Sequence, residues 1–347
     1  MSSKRRQSIC ALSALFLMDG CLLGPVQAQG DKILANNETI RIQEYPGAIA
    51  SLHEWVLVDA GFCSAHRLKC ESVTIPSGPI GLQALAAGSI QVSFASTDVI
   101  MQAASHGNDF QVIVGHSPNN IYELDVRADV PLPNKAAGYP AIMKDFVGLK
   151  IGCTARGAAT EIQMRALLSG AGISPDAVTY VAVGSPSTAY PTMMAKQIDA
   201  AVMFEPFRTL CITQKTCSIA VDLTKGEGPP ELAALSGAFE TFAARREFIT
   251  SNPIAVQAFI QAMSEGIDWM QKPENFEKVV AIARKHMSLG NIPNADAILV
   301  ELVKEQVPTY GAKIDRKAVK AFSDFLMKNK LIDAPVDPAS FVYEKAP

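Results

Sequence analysis

I-G-C-T-A-R-G-A-A-T-E-I-Q-M-R-A-L-L-S-G-A-G, residues 151–172, reads as a short strand, a turn of small residues and an amphipathic helix stopped by a glycine pair. Ile162, Leu167 and Leu168 give the helix its apolar face, and Gly170 and Gly172 supply the stop. Small residues at such a turn leave backbone N–H groups exposed at a helix start, where the dipole favours a negative charge. Arg156 lies inside the turn and adds a forked cation suited to a carboxylate, sulfonate or phosphate. Taken alone, the stretch is equally an ordinary strand–helix turn with a solvated arginine. Its weight depends on whether the design recurs.

It recurs upstream. Glu38 to Glu44 alternates as a strand, Tyr45-Pro46-Gly47 turns, and a helix follows from about 48 to 60. A strand at 71–75, the turn Pro76-Ser77-Gly78-Pro79 and a helix at 80–87 form the next unit. A strand at 90–94 leads through Ala95-Ser96-Thr97-Asp98 into a helix to about 106, and 110–115 is again extended. This rhythm predicts an α/β domain with a mainly parallel sheet. Residues 116–120 interrupt it, 121–127 resume an extended pattern, and 129–140 form a Pro/Gly-rich surface loop. After 151–172 come a strand at 178–183, the turn Gly184-Ser185-Pro186-Ser187, a helix at 188–196 and a buried strand at 199–203. Glu205-Pro206 then opens another helix, and a Gly/Pro-rich linker runs from 225 to 230. Beyond one more extended run at 239–244, helices are predicted at about 253–272, 274–287, 294–305 and 315–329, packing back on the first unit.

The chain has 347 residues, 48% hydrophobic and 19% charged, which suits a soluble protein with a sizeable core. A net charge of −3 and 7% aromatics argue against a nucleic-acid partner. Lys4, Arg5 and Arg6, an apolar run from Ile9 to Met18 and Val26-Gln27-Ala28 read as an export signal over residues 1–28. Met18-Asp19-Gly20-Cys21 leaves open a lipid-anchored form. The spacings of Cys63 with Cys70 and Cys211 with Cys217 predict two local disulfides in an oxidising compartment, with Cys153 a buried free thiol. Those spacings do not suit zinc, and no metal or cofactor is expected. There is no G-x-S-x-G, H-E-x-x-H or P-loop, so no catalytic set is expected either.

The turns at 76–78, 95–97, 154–158 and 184–187 each follow a strand and precede a helix, the position that lines the crevice of an open α/β sheet. The ordered segments G-L-Q-A-L-A-A-G-S-I-Q-V-S-F-A-S (81–96), D-F-V-G-L-K-I-G (145–152) and M-M-A-K-Q-I-D-A-A-V-M-F-E-P-F (193–207) resemble the periplasmic substrate-binding proteins of ABC importers. F-A-A-R-R-E-F-I-T-S-N-P (242–253) and E-G-I-D-W-M-Q-K-P-E (265–274) extend the match. Within that class the chain is similar to the nitrate/sulfonate/taurine-binding, thiamine-pyrimidine-synthase-like group. The resemblance implies a type II periplasmic-binding-protein fold: two α/β lobes, each a mainly parallel sheet flanked by helices, with a ligand cleft between them. Lobe one would be 36–116 with 232–347 and lobe two 117–231, with hinges near 116–121 and 224–238.

Carried over by position, lobe one offers Tyr45, Gly47, Ser77, Gly78, Thr97 and His116 to a ligand. Lobe two offers Thr154, Arg156, Ala158, Ser185, Ser187 and Glu205. Ser77 and Thr97 are equally helix caps, Tyr45 a packing aromatic, His116 a hinge residue and Glu205 a helix start. The implied function is capture of a small organic anion, a sulfonate or carboxylate, by a monomer that delivers it to an inner-membrane ABC permease. Alternatives are a pyrimidine-precursor binding protein, an enzyme on the same fold, or a ligand-sensing subunit of a membrane receptor.

Overall fold

The computed structural model describes residues 32–347; the expected export signal, with Cys10 and Cys21, lies outside the described residues. Among the described residues ten strands form three sheets. β1 (Thr39–Glu44) and β2 (Lys69–Thr74) pair in parallel, and Ile42 of β1 bridges to Val92 just ahead of β3 (Ser93–Ser96). β4 (Phe110–Ser117) shares a three-stranded sheet with β3. β5 (Glu123–Arg127), β6 (Lys150–Cys153), β7 (Thr179–Ala182), β8 (Ala200–Met203) and β9 (Cys217–Asp222) form a five-stranded sheet in the order β7-β6-β8-β5-β9. β10 (Glu240–Arg245) returns to the first lobe and lies between β3 and β4.

Strand direction follows from connectivity. β6 pairs in parallel with β7 and β8, as βαβ crossovers require. One strand in each large sheet is reversed: β10 is antiparallel to β3 and β4, and β5 to β8 and β9. β5 and β10 are the strands entered straight after the chain passes from one sheet to the other, between Ser117 and Glu123 and between Asp222 and Glu240. The mainly parallel α/β architecture expected from the sequence is therefore present, with a reversed strand marking each passage.

The predicted C-terminal helices occur as Pro253–Met270, Phe276–His286, Ala295–Gln306 and Arg316–Lys328. They cover the first lobe: Phe259 packs on Phe242 of β10 with ring centroids 6.4 Å apart, and Phe322 on Phe239 at 5.8 Å. The helix expected at 188–196 spans Pro186–Met194, because Pro186 at its first turn is already set to a helical φ. The strand expected at 90–94 begins later, at Ser93, since Val92 makes only a single bridge. Cys63 bonds to Cys70 and Cys211 to Cys217, leaving Cys153 free and buried. Among the described residues no helix is long and apolar enough to cross a membrane.

Candidate ligand cleft

The strand–helix turns of the two lobes face one another around an inter-lobe cavity. Tyr45 after β1, Gly78 at the start of helix Gly78–Ala86, and Phe94 and Ser96 of β3 line one side. Thr154 after β6, Ala158 and Ala159 at the start of helix Ala159–Gly170, and Phe204 after β8 line the other. Ile121 and Tyr122 from the first passage and Glu240 at the start of β10 close it. Gly78 lets the walls approach closely: a Cβ there would lie 3.2 Å from Ala95 Cβ and 3.4 Å from Tyr45 Oη, so these neighbours would have to give by a few tenths of an ångström.

The walls are aromatic. Tyr45 meets Phe94 edge-on at 5.2 Å and Phe204 at 5.8 Å, and Tyr122 meets Phe204 at 5.9 Å. Each tyrosine hydroxyl is anchored, as buried hydroxyls must be. Tyr45 Oη donates to Phe94 O at 3.1 Å and Tyr122 Oη to Glu240 Oε1 at 2.8 Å. Glu240 is 2% exposed, and burial, with nearby Asp98, outweighs the Tyr122 bond to push its carboxyl up to about 8. Asp98, also buried, accepts from Ser96 Oγ and from the Val99 N–H on one oxygen and has no partner on Oδ2. Burial pushes its carboxyl up to about 6. Among the described residues no lysine or arginine lines this cavity. Its free volume is about 20 Å³, room for about one water, so the lobes stand closed on it.

The sequence profile of the NMT1-like family matches residues 51–284, more than half of the chain. The chain belongs to the NMT1-like family. A Brucella abortus (strain 2308) protein named as a binding protein is 28% identical over 271 residues, 74% of each chain. The nitrate/nitrite-binding protein NrtA of Nostoc is 30% identical over 159 residues, 44% of this chain and 33% of its own. Among solved structures, the alkanesulfonate-binding protein SsuA of Xanthomonas axonopodis superposes with a TM-score of 0.67 at 19% identity, covering 88% of this chain and 98% of that one. The nitrate-binding protein NrtA of Synechocystis gives 0.67 at 15% identity, covering 88% and 85%. These superpositions fix the fold as that of the periplasmic binding proteins.

Of the positions singled out in the sequence of this NMT1-like protein, Tyr45, Gly78, Thr154 and Ala158 line the aromatic cavity. The others do not, and each has a physical reason. Thr97 Oγ1 donates to Ala238 O at 2.5 Å and lies 3.2 Å from Thr241 Oγ1, tying its helix to the chain around β10. Ser185 and Ser187 Oγ donate to Pro46 O at 3.0 and 3.1 Å, and Gly47 sits against Ser187, so these three join the lobes rather than face the cavity. Ser77 is buried with its hydroxyl unpartnered and makes no cap hydrogen bond. His116 stacks on Phe94 at 4.1 Å, with its ring nitrogens 2.7 Å from Ser117 Oγ and from Ala50 O. Burial pushes its imidazole down to about 3, so it is neutral. Glu205 accepts from Thr209 N–H and Thr209 Oγ, both at 3.0 Å, and so serves its own helix, as its sequence position allowed.

Arg156 is the largest departure from expectation. Its side chain is 59% exposed, its Nε donates to Glu161 Oε2 at 2.9 Å, and it borders a separate groove of about 260 Å³ with Pro79, Gln83 and His106. Glu161 also accepts from the Gly157 N–H and from Arg165 Nε, each at 2.9 Å. The helix start read as an anion site is thus filled by the chain's own carboxylate. The cavity residues missed in the sequence include Phe94, Ser96, Ile121, Tyr122, Phe204 and Glu240. Glu240 carried a readable signal, an acid inside the apolar run A-F-E-T-F-A-A.

Proposed function

We propose that the protein is the solute-binding component of an ABC importer, working in the periplasm as a binding protein rather than an enzyme. It captures a small molecule between a lobe of 36–116 with 232–347 and a lobe of 117–231 and presents it to an inner-membrane permease. The periplasmic-binding-protein fold and the binding proteins among its relatives support this reading. Closure of the lobes by hinge motion commits the ligand.

The observation that carries the ligand class is Glu240, a buried carboxyl held by Tyr122 inside an aromatic cavity without a lysine or arginine. An organic anion placed there would meet the buried acid Glu240, with buried Asp98 near it, and no lysine or arginine. A flat heterocycle carrying an amino group next to a ring nitrogen suits the site far better. A carboxyl group pairs with that edge through two hydrogen bonds, donating its proton to the ring nitrogen and accepting from the amino group. With its carboxyl pushed up to about 8, Glu240 holds that proton at neutral pH. The aromatic walls then pack on the ring faces. This favours the pyrimidine-precursor reading over the sulfonate or carboxylate one.

Calorimetry on the mature protein with 4-aminopyrimidines and with alkanesulfonates tests it. Aminopyrimidines bind the more tightly, and Glu240→Leu, which removes both the donor and the acceptor, weakens them at least about tenfold, or about 1.4 kcal/mol. A sulfonate that outcompetes them and is indifferent to Glu240→Leu overturns the ligand class.

A further inference from the structure

Beside the aromatic cavity, His116, Phe204, Glu205 and Tyr310 frame a narrow neck of about 10 Å³. Ser117, Ile121, Glu205 and Gln306 are shared between this neck and a chamber of about 340 Å³ on its other side. Asn120, Glu123, Glu205 and Arg208 line the chamber on the side of the first passage and the five-stranded sheet, and Glu305 and Thr309 line it from the C-terminal helices. Three carboxylates therefore face one guanidinium. Arg208 is already shared, lying 3.2 Å from Glu123 Oε1 and 3.8 Å from Glu205 Oε1. Glu123 is 1% exposed, and its Oε2 has no partner. Two residues further along β5, on the same face of the strand, Asp125 is fully buried with neither oxygen partnered. Asp222 stands in register with Glu123 on β9 and is paired with Lys225.

We propose that this chamber is a second binding subsite, taking the ammonium group of a small aliphatic amine between Glu123 and Glu305. The inference rests on the chamber alone and stands whatever the aromatic cavity binds. A divalent metal is not the occupant the geometry suits, since among the described residues no group of three His, Cys, Asp or Glu is placed to hold one. An ammonium needs no such cage: it is a compact charge with several donors, satisfied by carboxylates and by amide oxygens such as that of Asn120. Burial and the neighbouring Asp125, Glu205 and Asp222 push the Glu123 carboxyl up to about 9, with Arg208 acting the other way. An entering ammonium would therefore displace a proton.

The probe is 1,4-diaminobutane, titrated by calorimetry into the mature protein in buffers of different ionisation enthalpy. The expected result is saturable one-site binding that weakens with salt and releases protons. Glu305→Gln, an exposed change on the opposite wall, and Glu123→Gln each weaken it at least about fivefold, the scale of a single net hydrogen bond. Glu123→Gln also removes the proton release, and thermal unfolding confirms that both variants are folded. Absence of saturable binding up to about 10 mM, a concentration that would detect affinities weaker than −4 kcal/mol, overturns the proposal. So does an affinity unchanged in both variants.

Discussion

Glu161 accepts from the Gly157 N–H, Arg156 Nε and Arg165 Nε, so the positive end of helix Ala159–Gly170 already faces a carboxylate. Burial pushes that carboxyl up, but these three donors outweigh it and hold it below the usual carboxylate range. A depressed carboxyl adds stability that is complete above its unfolded value and is lost as pH falls through the folded one. Glu161→Ala strands a backbone donor and half-buried Arg165; the expected cost is about 1–3 kcal/mol in denaturant unfolding. Arg156→Ala removes one donor from an exposed side chain and is expected to cost no more than about 0.5 kcal/mol. Because Arg156 lies outside the aromatic cavity, that variant leaves the affinity for the cavity ligand within about twofold. The sequence displayed the turn and its arginine but not that a glutamate five residues on folds back to fill it. Serines and threonines behaved similarly. Thr97, Ser185 and Ser187 stand at the expected turns, yet their hydroxyls bond Ala238 and Pro46, partners more than 130 residues distant. Residue type shows that a hydroxyl sits at a helix start, while its partner is decided by a segment far away in the chain.

At the scale of elements, strand and helix identity was legible wherever periodicity ran long, as in the four C-terminal helices, and edges moved where a proline or a single bridge decided them. The two reversed strands were not legible, since an extended run carries no mark of its direction. β4 shows what tertiary approach adds. Its Gly115 N–H donates to Ala312 O, and Gly311 N–H donates to His116 O, so the segment ahead of helix Arg316–Lys328 lies directly on the strand. A Cβ on Gly115 would come within 2.6 Å of Lys313 O and 2.8 Å of Gly311 O, both backbone atoms with little freedom to move. Gly115→Ala is expected to destabilise by about 1–3 kcal/mol, read as a lower midpoint in urea at unchanged slope. The second disulfide ties helix Phe207–Thr213 to the start of β9, on either side of a six-residue step. Alkylation of denatured, unreduced mature protein is expected to label Cys153 alone; burial pushes this thiol up to about 12, so the native protein reacts slowly. Three labelled cysteines would mean that one bridge is absent.

Across the whole molecule, the buried titrating groups set the pH at which the closed structure is most stable. Burial pushes Glu123 up to about 9, and Asp125 and Glu240 up to about 8, from ordinary values of 4.5, 3.8 and 4.5. A raised carboxyl binds its proton more tightly in the folded chain, so stability falls as pH rises from its ordinary value to the folded one. The buried histidines act in the opposite sense. Burial drives His53 well below 6.5, helped by adjacent His116, and His116 itself falls to about 3. The unfolded chain then takes up protons that the folded one refuses, and stability falls as pH drops below 6.5. Because the raised carboxyls outnumber the two histidines, the slopes cross on the acid side, close to the ordinary carboxylate value of 4.5. Scanning calorimetry from about pH 4 to 9 is expected to place the highest melting temperature there, with a steady decline towards pH 9. Glu240→Gln cannot ionise, so it flattens the alkaline limb by its own share while leaving the acid limb unchanged. A melting temperature that rises from pH 6 to 9 in the parent protein would mean that these carboxyls are ionised in the folded chain, most directly because Arg208 reaches further into the cluster than its distance of 3.2 Å from Glu123 indicates.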